Sequence, residues 1–321
     1  MADCTTIPPS IPSDAGISGA GVLLSSTITA ALALLLSASL VLPEFRRSTT
    51  THPRPPPSST IRRKLLNGYS DQQIMVGIGI QSVGLVKASS LSAYHFFIIW
   101  MLSLLSMATH NATLLALVRD FQRDRVLRWL RQGLMFVNLA LSCTFGVYVL
   151  QAKVQGLPAT LPIACAWTLA AAEKKTTVGG LDYVGTIVTI AGNCVIFALA
   201  TWYLQSTRQR FFKTVQTVGL GLMAAIAIGA AVRVFLLSQA FGTPDVPISD
   251  QGEKSWSFGQ LLSMLMLILP VVSVVEILRG EIAVAPPVEE EEDVQPLFDG
   301  RMADINPKMT SRSYVARVEP V

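Results

Sequence analysis

The stretch YHFFIIWMLSLLSMATHNATLL, Tyr94 to Leu115, is apolar enough to sit in lipid, yet it holds two of the chain's three histidines, His95 and His110, together with Asn111. Imidazoles can ligate a metal, relay protons or hydrogen-bond between helices. A shared metal is excluded by reach: at 1.5 Å rise per residue the two rings stand about 22 Å apart along a helix axis. Placed at 100° per residue, Ser92, His95, Ser103, Ser106, Thr109, His110 and Thr113 fall within an arc of roughly 120°. This polar stripe must face protein or water rather than acyl chains, so the helix that bears it is expected at the centre of a bundle. Packing glue is the favoured role of the stripe, and a ligand or proton-relay site is the sharper alternative. Asn111 lies off the stripe and needs a different partner helix, and Asn138 and Asn193 are further polar groups inside apolar runs. The sequon Asn111-Ala112-Thr113 falls inside the same run, where glycosylation has no access.

Ionisable groups inside the apolar runs are few. Lys87, Arg233 and Glu276 each lie within about two turns of an expected interface, where a long side chain can snorkel to water. Glu276 has Arg279 or an arginine-rich loop as potential partners. That loop, RDFQRDRVLRWLRQ, spaces Arg119, Arg123, Arg125, Arg128 and Arg131 among Phe121, Val126, Leu127, Trp129 and Leu130. Such a pattern can lie on an anionic leaflet or dock a cytosolic partner. Cys4, Cys143, Cys165 and Cys194 show no C-x-x-C spacing, so a zinc site is not expected. Cys4 and Cys165 fall on one side and can form a disulfide in an oxidising compartment. No HExxH, paired central carboxylates or Cys/His constellation is present, so neither an enzyme, a metal nor a cofactor is expected.

The elements that position these groups follow from composition. Of 321 residues 51% are hydrophobic and 14% charged, with a mean hydropathy of +0.49, whereas a soluble domain carries nearer a quarter charged residues. The net charge of +4 sits in connectors rather than on one basic face, which argues against a nucleic-acid partner. Apolar runs long enough to cross a bilayer number about seven: residues 17–42, 73–90, 91–118, 133–150, 183–204, 215–237 and 258–278. The expected fold is an all-α, seven-helix integral membrane bundle over 17–278, with an extracytoplasmic tail over 1–16 and a disordered, acidic cytosolic tail over 279–321. The start lacks the basic n-region of a cleaved signal peptide, so the first run is expected to be retained. SDQQ, Ser70 to Gln73, has capping-box spacing and is expected to open the second span. The Pro/Ser/Thr/Arg-rich segment 46–64 reads as a disordered linker. Gly221, Ala225 and Gly229 recur every fourth residue, a pattern suited to close helix approach or a homo-oligomer contact.

Charge placement fixes an orientation. Nineteen of the 25 lysines and arginines fall in alternate connectors and the carboxyl-terminal tail, a positive-inside bias that puts the amino terminus outside and the carboxyl terminus in the cytosol. This assignment requires a hairpin at Lys87 between the second and third spans. The setting is then the plasma membrane or another secretory-pathway membrane.

The run SDQQIMVGIGIQ followed by LSAYHFFIIWMLSLLSMATHNATLLALVRDF resembles a large group of fungal multi-span membrane proteins with no assigned activity. The likeness rests on Ser70 to Gln73, Tyr94 with His95, Thr109 with His110, Thr113 with Leu114, and Arg119, and on Cys4 before Asp14 to Val22. It covers about a third of the chain and implies a membrane setting without a substrate. Leu23 stands where a basic residue often occurs in that group.

Two readings of function compete. A receptor-like or scaffolding protein fits seven spans with an outer amino terminus, a basic cytosolic connector for a protein partner, and an unidentified small-molecule ligand. A solute transporter or ion channel is the alternative, although broken helices and central charges are scarce, Pro270 being the only breaker in the seventh run. The likeness to rhodopsin-like receptors is poor: Arg119-Asp120-Phe121 replaces an acidic-Arg-aromatic triplet, and no lysine between Phe258 and Leu278 is placed for a retinal Schiff base.

Overall fold

The computed structural model describes residues 3–46, 57–123, 125–168, 180–205 and 211–279. The acidic tail, Lys174, Lys175, Arg208, Arg210 and the centre of the 46–64 segment lie outside these. The described chain is helical without strands: α1 Ala15–Ser18, α2 Ala20–Arg46, α3 Pro57–Val86, α4 Ala93–Ala116, α5 Val118–Arg123, α6 Arg125–Val154, α7 Gly180–Gln205, α8 Phe212–Leu237, α9 Phe258–Leu265 and α10 Leu269–Leu278. A 3₁₀ turn, Met266–Ile268, joins α9 to α10 where Pro270 cannot donate to the preceding turn.

Six of these segments are long and apolar enough to cross a membrane. Their outer faces agree with a lipid solvent: Trp202 is 70% and Phe258 81% exposed, and Ile228 and Leu236 also lie bare. In water such a surface would be a large unprotected apolar patch. Helix α3, which covers the expected second span, is not among the six: it is thirty residues long, but Arg62, Arg63, Lys64 and Asp71 in its first half and Ser70, Gln73 and Gln81 along its length lower its apolar character.

Helix α4 is the axis. All of its residues from Tyr94 to Leu115 are buried apart from the partly exposed Phe97, and it touches α2, α3, α6, α7 and α8. A helix enclosed on every side needs no amphipathic pattern, and its polar residues must therefore find partners inside the protein. Its amino-terminal amides, which no helical carbonyl can satisfy, are met by Ser92 and by a lid, the segment 155–168 that follows α6. Ser92 Oγ accepts from His95 N at 3.4 Å, while Ala93 N and Tyr94 N donate to Leu161 O and Ala159 O at 2.8 and 3.1 Å. The lid is held in turn by the Cys4–Cys165 disulfide, Cα–Cα 5.6 Å. The tail also pairs with the α8–α9 connector, Ile11 N donating to Pro247 O and Ser249 N to Ile11 O. Tail, lid and connector thus form one cap over the amino-terminal end of α4.

Several sequence expectations need correction. The hairpin at Lys87 to Ser92 is present, but the helix before it begins at Pro57 rather than Gln73, so Arg62, Arg63 and Lys64 are helical and not linker. Ser70 consequently sits mid-helix and caps nothing. Its hydroxyl instead meets His110, because a helix started by Pro57 passes straight through the SDQQ signal. The arginine-rich loop is also helix, divided between α5 and α6. Gly221 and Gly229 do not mediate close packing within the chain, since a Cβ at either would meet nothing within 4 Å. Close approach occurs elsewhere: a Cβ on Gly21 would lie 2.6 Å from Gln260 O, so this glycine lets α2 and α9 touch backbone to backbone.

Candidate functional site

The α4 stripe does not face one partner. Its members separate into an upper cluster at the cap, a middle pair and a lower network, because neighbouring helices pass α4 at different heights.

The upper cluster is built around Glu253, which the sequence reading missed. It stands in the 3₁₀ turn Gly252–Lys254 of the α8–α9 connector, between Asp250 and Lys254 in a segment that reads as a solvated loop. Nevertheless Glu253 is 0% exposed. Ser18 Oγ donates to its Oε1 at 2.6 Å, His95 Nε2 lies 3.0 Å from the same oxygen, and Tyr94 OH donates to Oε2 at 3.4 Å. His95 Nδ1 is 2.9 Å from Ser92 Oγ. One consistent proton arrangement runs from His95 N–H to Ser92 Oγ, from the Ser92 hydroxyl to Nδ1, and from Nε2–H to the carboxylate. Tyr94 also accepts from Gln239 N at 3.1 Å. Glu253 thereby joins α1, α4 and the α8–α9 connector, and burying its charge demands all three donors. The only local signal was the polar run SDQGEKS, which does not distinguish a buried carboxylate from an exposed one.

In the middle, Ser103 Oγ lies 2.9 Å from Ser142 Oγ on α6. The lower network crosses α3, α4 and α6. Gln81 Nε2 donates to Asn138 Oδ1 at 2.6 Å, and Asn138 Nδ2 donates to Ser106 Oγ at 3.0 Å. Ser106 Oγ lies 3.0 Å from His110 Nε2 and 3.2 Å from Gln73 O. Ser70 Oγ is 3.4 Å from His110 Nδ1. The two histidines therefore occupy separate clusters. Thr109 and Thr113 leave the stripe, for each hydroxyl returns to the carbonyl four residues back on its own helix. Asn111 faces the other side, with Nδ2 3.4 Å from Asn193 Oδ1 on α7 and 3.4 Å from Met223 Sδ on α8.

At the opposite end from the cap, Arg131 Nη2 binds Asp71 Oδ2 at 2.5 Å and Nη1 binds Asn67 Oδ1 at 3.2 Å. Arg63 Nη1 binds Asp120 Oδ2 at 2.7 Å. Arg131 is thus turned toward α3 rather than toward phosphates, and Arg128 is half-buried. The side chains of Arg119, Arg123 and Arg125 lie outside the described set. Glu276 is half-buried, and it makes neither of the pairings expected for it among the described residues. Arg233 is exposed near the end of α8. Cys143 and Cys194 approach to 3.5 Å as free thiols. Among the described residues no group of three His, Cys, Asp or Glu is disposed to hold a metal ion.

Two cavities flank the cap end of α4. One, about 240 Å³, is lined mainly by apolar residues including Phe97, Val149 and Ile163, with Tyr94, Lys153 and Asp245 supplying its polar groups. Tyr94 belongs both to this wall and to the Glu253 cluster. The other, about 270 Å³, lies between α4, α7 and α8. No known protein family, curated protein or solved structure matches the chain.

Proposed function

We propose that the chain is a seven-span membrane protein, α3 included, with its amino terminus outside and its carboxyl terminus in the cytosol, and that it works as a receptor-like transducer. Its ligand would be a small molecule with an apolar body and a polar end, seated in the 240 Å³ cavity and reached from the extracytoplasmic side. The observation that carries this reading is the double position of Tyr94, whose ring lines the cavity while its hydroxyl contacts Glu253. An occupant that shifts the ring disturbs a buried carboxylate tied to α1 and α4. Because α4 touches α1, α2, α3, α6, α7 and α8, displacement at its upper end is transmitted toward the lower network and the Asp71–Arg131 and Arg63–Asp120 clamps. These stand beside the arginine-rich segment that we propose contacts a cytosolic protein.

Two assays with the full chain test this. In liposomes, proton and potassium flux should stay at the level of protein-free vesicles. In cells, a proximity-labelling reporter on the carboxyl-terminal tail should mark a changed partner set when Ala152→Phe fills the cavity. Flux that disappears in His95→Ala or His110→Ala would overturn the receptor reading in favour of transport.

A further inference from the structure

We infer that the cleft between α7 and α8 holds one anionic phospholipid, taken from the bilayer leaflet at the capped end of the bundle. The inference goes beyond the receptor reading and needs only the membrane setting. The cleft, about 270 Å³, is floored by Trp100, Met101 and Leu104 of α4 and sided by Gly185 of α7 and by Ala225 and Gly229 of α8. Small residues on both flanking helices leave a channel where side chains would otherwise interlock, so Ala225 and Gly229 of the small-residue repeat open a groove instead of closing a helix pair.

The groove has a direction. Arg233 lines its mouth, four residues from the end of α8 at Leu237, which is the level of lipid headgroups for a helix of this length. From Arg233 the lining descends through Gly229 to Ala225, eight residues or about 12 Å toward the bilayer centre, and is apolar there apart from Thr189. A second cation stands beside the mouth: Lys153 Nζ is 3.5 Å from Thr186 Oγ1, and Thr186 lines the cleft. A guanidinium with a neighbouring ammonium and hydroxyl matches a phosphodiester, and the apolar channel below matches an acyl chain. Trp100, 2% exposed, closes the floor of the cleft.

The test uses the full chain purified from nanodiscs of mixed phosphatidylglycerol and phosphatidylcholine, with retained lipid counted by native mass spectrometry. Phosphatidylglycerol should be enriched over its share of the disc, by about fivefold for each basic group near the phosphate. Arg233→Gln should lower the enrichment about fivefold, and Gly229→Leu should remove the retained lipid of either kind. Gly229→Ala, whose added methyl meets open space, serves as the folding control and should retain lipid. Equal retention of both lipids, enrichment unchanged in Arg233→Gln, or retention undiminished in Gly229→Leu would overturn the inference. Displacement of the bound lipid by soluble glycerol 3-phosphate would show a headgroup site without a chain groove, and would overturn it equally.

Discussion

Glu253 illustrates how much one buried charge can organise. Its carboxylate is stable only while Ser18, Tyr94 and His95 face it, so removing a donor leaves an unmet acceptor that costs about 1–3 kcal/mol. His95→Ala is expected to lower the thermal stability of the full chain in detergent by that order, and Glu253→Gln, which keeps the shape, by less. Gly77 sets a comparable constraint in the lower network. A Cβ there would lie 2.5 Å from Ser106 Oγ and 3.1 Å from Asn138 Oδ1, so Gly77→Ala should destabilise by about 1–3 kcal/mol through overpacking. Thr113→Val should change stability by under about 0.5 kcal/mol, since that hydroxyl serves only its own helix. Equal losses for Thr113→Val and Gly77→Ala in one melting series would refute this ordering. The sequence made the stripe visible through its spacing, and it placed Asn111 on another face. It could not show Glu253, because burial of a loop carboxylate depends on which donors the tertiary fold brings to it, and these come from positions 18, 94 and 95.

At the scale of elements, the apolar runs gave most helices to within a few residues, because a segment that crosses lipid must be long and apolar and loops interrupt that pattern sharply. Helix α3 was half read. Its first turns carry Arg62, Arg63 and Lys64, a composition that looks like linker until Asp120 on α5 and Asp71 with Arg131 on α6 show where the charges go. The cap over α4 was legible only as a pair of cysteines, and its backbone pairing to Ile11 and to the lid left no side-chain signature. Two measurements address the cap. Asp250 accepts from the Ser13 side chain and from the amides of Gly252 and Ser13, which holds its carboxyl below the usual range. A depressed folded-state value means that its contribution is complete above the unfolded carboxylate range, near 4, and is lost as pH falls through the folded value. Hydrogen exchange at the Ile11 and Ser249 amides should therefore rise on acidification below about 4, and Asp250→Asn should flatten that dependence. Replacing Cys4 and Cys165 by serine should cost about 2–4 kcal/mol, read as earlier loss of protection at Ala93 and Tyr94.

For the whole molecule, the distribution of polarity is inverted relative to a protein in water. Hydroxyls, amides and imidazoles gather on the central α4, while tryptophan, phenylalanine and leucine side chains lie bare on α7 to α10. That arrangement is what a bilayer selects, since unpaired polar groups are costly in lipid and apolar groups are not. It also explains why composition spoke clearly about the solvent and hardly at all about the ligand. A binding cavity is a matter of a few side chains such as Tyr94, Lys153 and Asp245, whose convergence from three separate elements has no periodicity to detect. In the proposed transducer the chain crosses the membrane seven times with its capped end outside. Glycosylation acceptor tags at Ala2, at Ala172 beyond the lid and at Pro320, each expressed in the full chain, measure this directly. Modification at Ala2 and Ala172 with none at Pro320 is the predicted result, and modification of both termini, or of neither, would contradict it.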